Sequence, residues 1–355
     1  MSYDLVDGKV VSPEGCELNV AHHCNLGCAS CSHLSPVFRR SLIAPETAAR
    51  DLSLLARSFR ARFVKVLGGE PLLHPELVPL LGLVRDSGIA PHTTVCTNGM
   101  LLPRMRDDFW AAVDEVEISV YPDRELPEEK MAGVRAYAEK HGVRLTLAYY
   151  SHFRYSYAER GTGDDGLVRH IYDTCQIAHV WRCHTLYEGH FFKCPQSVFL
   201  PQVLGDGGDP MADGLRLSDA PDFPARLLAY LRSPEPLRAC RNCLGSAGLR
   251  MPHQQRTRRD FRELQDHTSE ELTDRRFLRL LDERPDADDG CAVEDRDAWR
   301  ERLAERPPGA PAASARAGAA RSAPHTGAGR SAPSDESGAS GGHAPSTRYA
   351  QGKRS

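Results

Sequence analysis

The chain lacks any long apolar segment. None of its hydrophobic stretches approaches the roughly 20 residues that a helix needs to span a bilayer, although 41% of its 355 residues are hydrophobic, enough for a core of ordinary size. The first residues also lack the basic and apolar segments of an export signal. These absences exclude a membrane-spanning helix and predict a cytoplasmic location.

A marked excess of charge of either sign is also missing. The 45 Lys and Arg nearly balance the 48 Asp and Glu, which leaves a formal net charge of −3. Because no electrostatic attraction favours nucleic acid or a membrane surface, we expect neither as a partner.

The end of the chain lacks core-forming residues. From Pro307 onward there is no Leu, Ile, Val, Phe, Met or Trp. Such a segment cannot bury enough apolar surface to offset the entropy lost on ordering. Residues 306–355 are therefore predicted to be a disordered tail.

Cysteine, in contrast, is plentiful. The chain has eleven cysteines, and without an export signal we expect metal ligands or catalytic thiols rather than disulfides.

Cys24, Cys28 and Cys31 form a C-x3-C-x2-C loop directly after a predicted strand. Three thiolates hold only three corners of a [4Fe-4S] cube, so one iron stays open to a substrate or cofactor. Zinc is the alternative, but His22, His23 and His33 lack the spacing of zinc partners.

Short apolar runs alternate with amphipathic segments over residues 15–150, which indicates βα units around a parallel sheet. The predicted strands cover residues 17–21, 63–67, 93–97, 115–120 and 144–149. The predicted helices cover residues 45–59, 75–86, 104–113 and 127–141, with Gly88 and Gly142 at helix ends. This α/β alternation allows either a doubly wound sheet or a barrel. In both, ligands gather at the carboxyl ends of the strands.

Three polar segments lie at or near the ends of predicted strands on that same side: Gly68-Gly69-Glu70, Asn98 and Ser119. Glycines let a backbone approach a ligand closely, and a glutamate can receive an ammonium group. Capping of the next helix is the plainer interpretation of Glu70.

In this order and spacing, the cysteine loop and the Gly-Gly-Glu-Pro segment resemble the radical S-adenosylmethionine (radical SAM) superfamily. The resemblance implies a partial (β/α)6 barrel, a SAM-binding [4Fe-4S] cluster and S-adenosyl-L-methionine. It also implies that Gly68, Gly69 and Glu70 line the methionyl end of SAM, that Asn98 is a polar strand tip and that Ser119 faces the ribose. Many members have an aromatic residue where this chain has Ser30, so His33 or Phe38 are expected to replace it near the adenine.

A second group of cysteines follows a loop at residues 161–166 and a predicted helix at residues 167–179. Residues 185–195 predict a hairpin that turns at Glu188-Gly189. The spacing C-x13-G-x4-C, followed by C-x2-C, resembles a shortened SPASM pattern, the twitch domain, and implies an auxiliary [4Fe-4S] cluster. A ligand set that uses Cys183 with only one of the last two cysteines, and a four-thiolate zinc site, are alternatives. The assigned ligands are Cys175, Cys194, Cys240 and Cys243.

The fifth thiol of this group, Cys183, is then free, and its weak S–H bond would suit hydrogen-atom donation to a product radical. Cys16, Cys96 and Cys291 have no partner pattern and are expected to be packing residues. The predicted domains are a core barrel over residues 1–160, an auxiliary-cluster domain over 161–253, a charged helical extension over 254–305 and the tail.

The resemblance implies an enzyme whose 5′-deoxyadenosyl radical removes hydrogen from its substrate, with a flavodoxin or ferredoxin-type electron donor. Only 23 residues precede Cys24, which leaves no room for a peptide-recognition domain ahead of the loop. We therefore expect a small polar substrate of sugar, aminoglycoside or nucleoside type, in dehydrogenation, epimerisation or decarboxylation. A peptide-maturing enzyme is the alternative, and a non-catalytic iron-sulfur or zinc protein is an alternative of another class.

Overall fold

The computed structural model describes residues 3–205, 208–257, 259–262 and 266–293. All of them belong to one folded unit, residues 1–311. The predicted tail lies outside the described residues, as does the part of the predicted helical extension beyond residue 293. Among the described residues, no helix is long and apolar enough to cross a membrane.

The strands are numbered in chain order. They are β1 (Asp4–Val6), β2 (Lys9–Val11), β3 (Cys16–Ala21), β4 (Phe59–Arg60), β5 (Val64–Gly68), β6 (Thr93–Thr97), β7 (Glu115–Val120), β8 (Arg144–Tyr150), β9 (His152–Arg154), β10 (Thr185–Tyr187), β11 (His190–Phe192), β12 (Leu215–Arg216), β13 (Arg250–Pro252) and β14 (Ala292–Val293).

The helices are numbered in the same way, and four 3₁₀ turns lie between them. The helices are α1 (Pro45–Ala56), α2 (Leu77–Ser87), α3 (Asp107–Ala111), α4 (Glu128–His141), α5 (Asp165–Asp173), α6 (Gln176–His179), α7 (Pro195–Leu204), α8 (Phe223–Arg232), α9 (Ser269–Leu272) and α10 (Arg275–Glu283). The 3₁₀ turns are Pro71–Leu73, Leu102–Arg104, Arg238–Arg241 and Asp260–Arg262.

The main sheet has nine strands in the order β12-β11-β10-β3-β5-β6-β7-β8-β14. The six strands from β10 to β8 are parallel, and antiparallel strands lie at both ends. From β3 to β8 the spatial order follows the chain order without a reversal, whereas a doubly wound sheet reverses its order at a switch point. Since such crossovers are right-handed, α1 to α4 cover the same face of the sheet.

The two faces of these strands differ in polarity. In β3, Leu18 and Val20 are fully buried in the main apolar core, and Val66 of β5 and Val95 of β6 join them. The residues that alternate with them, such as Glu17, are polar or charged. Because successive side chains of a strand point to opposite faces, the helices cover an apolar face and the other face is polar.

The predicted strands are confirmed to within one or two residues, and 93–97 and 115–120 have the predicted bounds. Gly88 and Gly142 end α2 and α4 in the left-handed conformation, as expected. The helix predicted at 104–113 is shorter, because residues 102–104 form a 3₁₀ turn and Arg106 is extended (φ −108°, ψ 178°) before the acidic first turn of α3.

The region of the second cysteine group is joined to the main sheet. The predicted hairpin is confirmed as β10 and β11, with Glu188 (φ 43°) and Gly189 (φ 78°) both left-handed at the turn. Thr185 and Leu186 of β10 pair in parallel with Glu17 and Leu18 of β3. The helix predicted at 167–179 is divided, because residue 175 is the N-cap of α6 rather than a helical residue.

Candidate active site

A cavity of about 500 Å³ opens on the polar face of the parallel strands. Its floor consists of side chains from four neighbouring strands, and its other walls come from the first cysteine loop and from the region of the second cysteine group. The floor includes Glu17, Lys65, Cys96, Glu117 and Ser119.

The three cysteines of the first loop all line this cavity. Leu26 N–H donates to Cys24 Sγ at 3.3 Å, and Gln255 Nε2 donates to Cys28 Sγ at 3.2 Å. Burial raises the pKa of Cys24 and of Cys28 to about 12. Burial likewise raises the pKa of Cys31, although backbone N–H groups of the following residues donate to its sulfur. Thiolates would therefore need a cation to compensate their charge, as a bound iron cluster does.

The number of thiols suits a [4Fe-4S] cluster with one open iron, which needs three protein ligands. Among the described residues, no three His, Cys, Asp or Glu side chains stand close enough together to hold one metal ion. The three thiols on one loop, with N–H donors already directed at their sulfurs, fit a [4Fe-4S] group.

Gly68 and Gly69 line the cavity and also make the cysteine loop possible. Gly68 has a φ of +138°, and a Cβ there would lie 2.2 Å from the carbonyl oxygen of Ala21. A Cβ on Gly69 would lie 2.3 Å from the carbonyl oxygen of His23. The glycines therefore allow the end of β5 to touch the backbone that leads into Cys24.

Glu70 is fully buried, and its carboxylate binds protein rather than facing the cavity. It accepts hydrogen bonds from Thr97 Oγ1 (2.6 Å), Asn98 N–H (2.9 Å) and Leu72 N–H (3.1 Å). The last of these caps the 3₁₀ turn that follows. Glu70 thus joins the end of β5 to the end of β6, and its predicted contact with an ammonium group stays a prediction.

Asn98 and Ser119 both line the cavity, Asn98 directly after β6 and Ser119 near the end of β7. Their predicted roles toward SAM stay predictions. Asn98 Nδ2 donates to Asn25 Oδ1 at 2.7 Å and lies 3.6 Å from Cys24 Sγ, so this side chain connects β6 to the cysteine loop.

Aromatic residues that no sequence motif singles out form another wall of the cavity. Tyr121, Tyr150 and Phe153 line it, and His253 stacks on Tyr121 with ring centroids 4.6 Å apart. Of the two residues expected to replace the aromatic at Ser30, His33 lines the cavity. The other, Phe38, packs in a separate apolar cluster against Phe199.

Four thiols of the second cysteine group neighbour one another, and the fifth, Cys183, packs beside them. Cys175, Cys194, Cys240 and Cys243 lie near enough to influence one another electrostatically, and burial raises the pKa of each thiol. Cys175 and Cys194 are the N-caps of α6 and α7. Backbone N–H groups donate to their sulfurs, from Ile177 and Ala178 to Cys175 and from Ser197 to Cys194. The ligand assignment itself stays a prediction.

Cys183 packs against the apolar cluster that contains Cys175 and Cys194. It differs from the four because it also lines the cavity, where it contacts Glu17. Burial, followed by the Glu17 charge, raises the pKa of its thiol well above the usual value, so the S–H form prevails at neutral pH. Cys96 and Cys291, expected only to pack, line the cavity as well, whereas Cys16 is buried in the main core.

A second cleft lies on the other side of the first cysteine loop and shares Cys24 with the cavity. Its lining includes Arg40, Arg256 and His23 and no acidic residue. Phe38 and Phe261 add apolar surface.

Comparison with known proteins gives partial matches. A GTP 3′,8-cyclase from Heliobacterium modesticaldum is 34% identical over 229 residues, which cover 58% of this chain and 64% of the relative. A PqqA peptide cyclase from Streptomyces rochei is 27% identical over 136 residues, 38% of this chain and 37% of the relative. The chain thus covers less than two thirds of either relative. No protein-family model matches it.

Solved structures give weaker likenesses. BtrN in complex with AdoMet and 2-DOIA is 14% identical with a TM-score of 0.33, covering 56% of this chain and 83% of that one. Streptococcus suis SuiB bound to S-adenosylmethionine is also 14% identical with a TM-score of 0.33, covering 60% of this chain and 66% of that one. Scores of this size do not establish a common fold.

Proposed function

We propose, on the premise that this chain is a member of the radical SAM superfamily of enzymes, that it binds a [4Fe-4S] cluster through Cys24, Cys28 and Cys31 and cleaves S-adenosylmethionine reductively. One observation carries the proposal. The three thiols line the same cavity as Gly69 and Asn98, the segments that a SAM molecule on the open iron would have to meet.

The chain's own residues have distinct tasks in this proposal. When bound, the cluster and SAM supply a 5′-deoxyadenosyl radical that removes a hydrogen atom from the substrate. Asn98 holds the cysteine loop through Asn25, and Glu70 holds Asn98 through its backbone N–H. The aromatic wall of Tyr121 and Phe153 excludes water and offers flat surfaces to an adenine or a substrate ring.

The architecture that we propose is a partial barrel followed by a twitch-like region. Sequential strand order from β3 to β8, with helices on one face and ligand groups on the other, supports the barrel. Four mutually close thiols, with sulfurs at two helix N-termini, support an auxiliary [4Fe-4S] cluster. A four-thiolate zinc site is the alternative at these cysteines.

The substrate that we propose is a small polar molecule. The floor of the cavity carries charged groups from three strands, which suit hydroxyl and amine groups better than an apolar side chain. A peptide substrate is the second candidate, because one relative is named a peptide cyclase.

The electron donor that we propose is an acidic flavodoxin or ferredoxin-type protein at the outer cleft. This cleft and the substrate cavity both reach Cys24. Its arginines Arg40 and Arg256, without an acid among the lining residues, complement a negatively charged partner.

The test is an anaerobic assay of the reconstituted protein with SAM and either dithionite or a reduced flavodoxin. We expect about eight irons per chain and 5′-deoxyadenosine with both reductants. Full iron loading without any 5′-deoxyadenosine would support the non-catalytic alternative. About four irons with one zinc would support the zinc site.

Cys183→Ala should preserve the iron content and SAM cleavage but stop the return of a hydrogen atom to the substrate carbon. In this step the S–H bond breaks, a C–H bond forms, and the thiyl radical regains one electron from the external donor and one proton from solvent. In deuterium oxide, wild-type product should carry deuterium from the exchangeable thiol, and the variant should form less than about a tenth as much labelled product. Mass spectrometry of the product measures both.

Cys96→Ala and Cys291→Ala are matched controls, since both thiols line the same cavity. We expect each of these two variants to form product with as much deuterium as the wild-type product carries. Undiminished labelling in Cys183→Ala, or its loss in Cys96→Ala alone, would refute the role of Cys183.

A further inference from the structure

A short segment after β13 pairs with the first cysteine loop. Cys28 and Gln255 form an antiparallel bridge, although they lie 227 positions apart in the chain. Arg256 N–H donates to the carbonyl oxygen of Gly27 at 2.7 Å. A Cβ on Gly27 would lie 2.3 Å from the carbonyl oxygen of Arg256, so a glycine is what allows this close approach. The loop that carries the three thiols is therefore held by a distant part of the chain.

The side chain of Gln255 fits between the backbone and a sulfur of that loop. Its Oε1 accepts a hydrogen bond from Gly27 N–H at 2.8 Å, and its Nε2 donates to Cys28 Sγ at 3.2 Å. A backbone N–H can only donate, so the oxygen of the amide must face Gly27 and the nitrogen must face the sulfur. Both ends of the amide thus contact the cysteine loop.

An aromatic pair holds Gln255 from its other side. Gln255 Nε2 lies 3.4 Å from His253 Nε2. Burial lowers the pKa of His253 to about 4, so its neutral ring can accept the second amide hydrogen. His253 in turn stacks on Tyr121, and its backbone N–H donates to the carbonyl oxygen of Ser151 at 3.0 Å. The amide therefore has little freedom to turn away from the sulfur.

An N–H donor at a cysteine sulfur affects how readily an iron-sulfur cluster accepts an electron. Hydrogen bonds to the sulfurs are among the features that set the reduction potential of such clusters. Reduction adds one negative charge, so a donor stabilises the reduced form more than the oxidised form. Cys28 is 7% exposed, so water competes little with the amide for its sulfur, and the hydrogen bond is strengthened by the low local dielectric.

We propose that Gln255 is a positioning residue that holds the Cys28 sulfur in place and raises the reduction potential of the SAM-binding cluster. The proposal rests on the proposed function, because it requires the cluster at the first cysteine loop. Gln255 itself exchanges no proton: one electron comes from the external donor, and both amide hydrogens stay on Nε2. The higher potential makes the cluster easier for that donor to reduce.

Gln255→Met tests the effect on the potential, because it removes the amide but keeps the length of the side chain. A redox titration of the reconstituted full chain, monitored by EPR, follows the signal that SAM alters. At a given potential we expect the ratio of reduced to oxidised cluster to fall about tenfold, which for one electron is a midpoint about 59 mV lower. Gln254→Met is the matched control, since it makes the same change in an exposed side chain and keeps the backbone hydrogen bond from Ala29. It should retain the wild-type potential.

Amide hydrogen exchange of the metal-free full chain tests the positioning, and it applies even if the variant does not take up iron. Gly27 N–H loses its acceptor in Gln255→Met, so it should exchange at least about tenfold faster than in the wild type or in Gln254→Met. Unchanged exchange at Gly27, or a wild-type potential in fully loaded Gln255→Met, overturns this proposal and leaves the proposed function standing. A wild-type chain that retains no iron overturns both.

Discussion

Cys28→Ala should abolish 5′-deoxyadenosine formation and remove about four of the eight expected irons per chain. Cys28 is 7% exposed, and its sulfur already accepts a hydrogen bond from Gln255. Ala leaves two thiolates, too few to retain a cubane with an open iron. Iron and sulfide counting, with chromatography of the SAM products, measures the loss. The EPR spectrum of the reduced protein should no longer change when SAM is added.

Cys291→Ala is the control for this result. Cys291 is also buried and lines the same cavity, but it stands outside both cysteine sets. We expect this variant to keep all of its iron and its activity. SAM cleavage that survives in Cys28→Ala at more than about a hundredth of the wild-type rate would contradict the proposed open-iron site.

Cys194→Ala should also lose about four irons, but its EPR spectrum should still change when SAM is added. Cys194 is buried at the N-terminus of α7, and its three proposed partners come from distant parts of the chain. A cluster at this position connects these segments, so its loss should also lower the thermal unfolding midpoint by several degrees or more. Metal analysis and calorimetry measure the two effects.

Cys183→Ala serves as the matched control, because Cys183 belongs to the same region but lines the substrate cavity. It should keep both the iron content and the unfolding midpoint. Loss of zinc rather than iron from Cys194→Ala would replace the auxiliary cluster by a zinc site. Loss of metal from Cys183→Ala would instead favour the ligand set that includes this thiol.

The fold of the first half could be predicted closely because its signals are local. Apolar alternation marks each parallel strand, and Gly88 and Gly142 mark helix ends. The pairing of β10 with β3 could not be predicted in this way, since parallel strands far apart in the chain share no local pattern. Likewise, the division at Cys175 depends on its sulfur and backbone near other cysteines rather than on helix propensity.

The sequence motifs predicted only part of the candidate site. The cysteine loop, the two glycines, Asn98 and Ser119 share the cavity as expected, whereas the carboxylate of Glu70 turns to Thr97 and the backbone of the next strand. This position of the Glu70 carboxylate could not be predicted from the sequence. The Thr97 hydroxyl competes with a ligand for the carboxylate only once β5 and β6 are adjacent.

The sequence contained a pattern that could have predicted the charged floor of the cavity. Strands of a parallel sheet that is covered on both faces are normally apolar throughout. Here Glu17, Lys65 and Glu117 alternate with buried Leu and Val, which indicates that one face lines a polar cavity. Gln196, in α7, and Ser156, shortly after β9, also line the cavity, but no sequence pattern singles them out.

The position of β10 beside β3 affects how the protein is made. Cys16–Ala21 leaves the ribosome about 160 residues before Thr185–Tyr187, and until then β3 can pair only with β5. Throughout that interval the strand that leads into the first cysteine loop has an open edge, where an unwanted strand could pair. Docking of the later hairpin covers that edge.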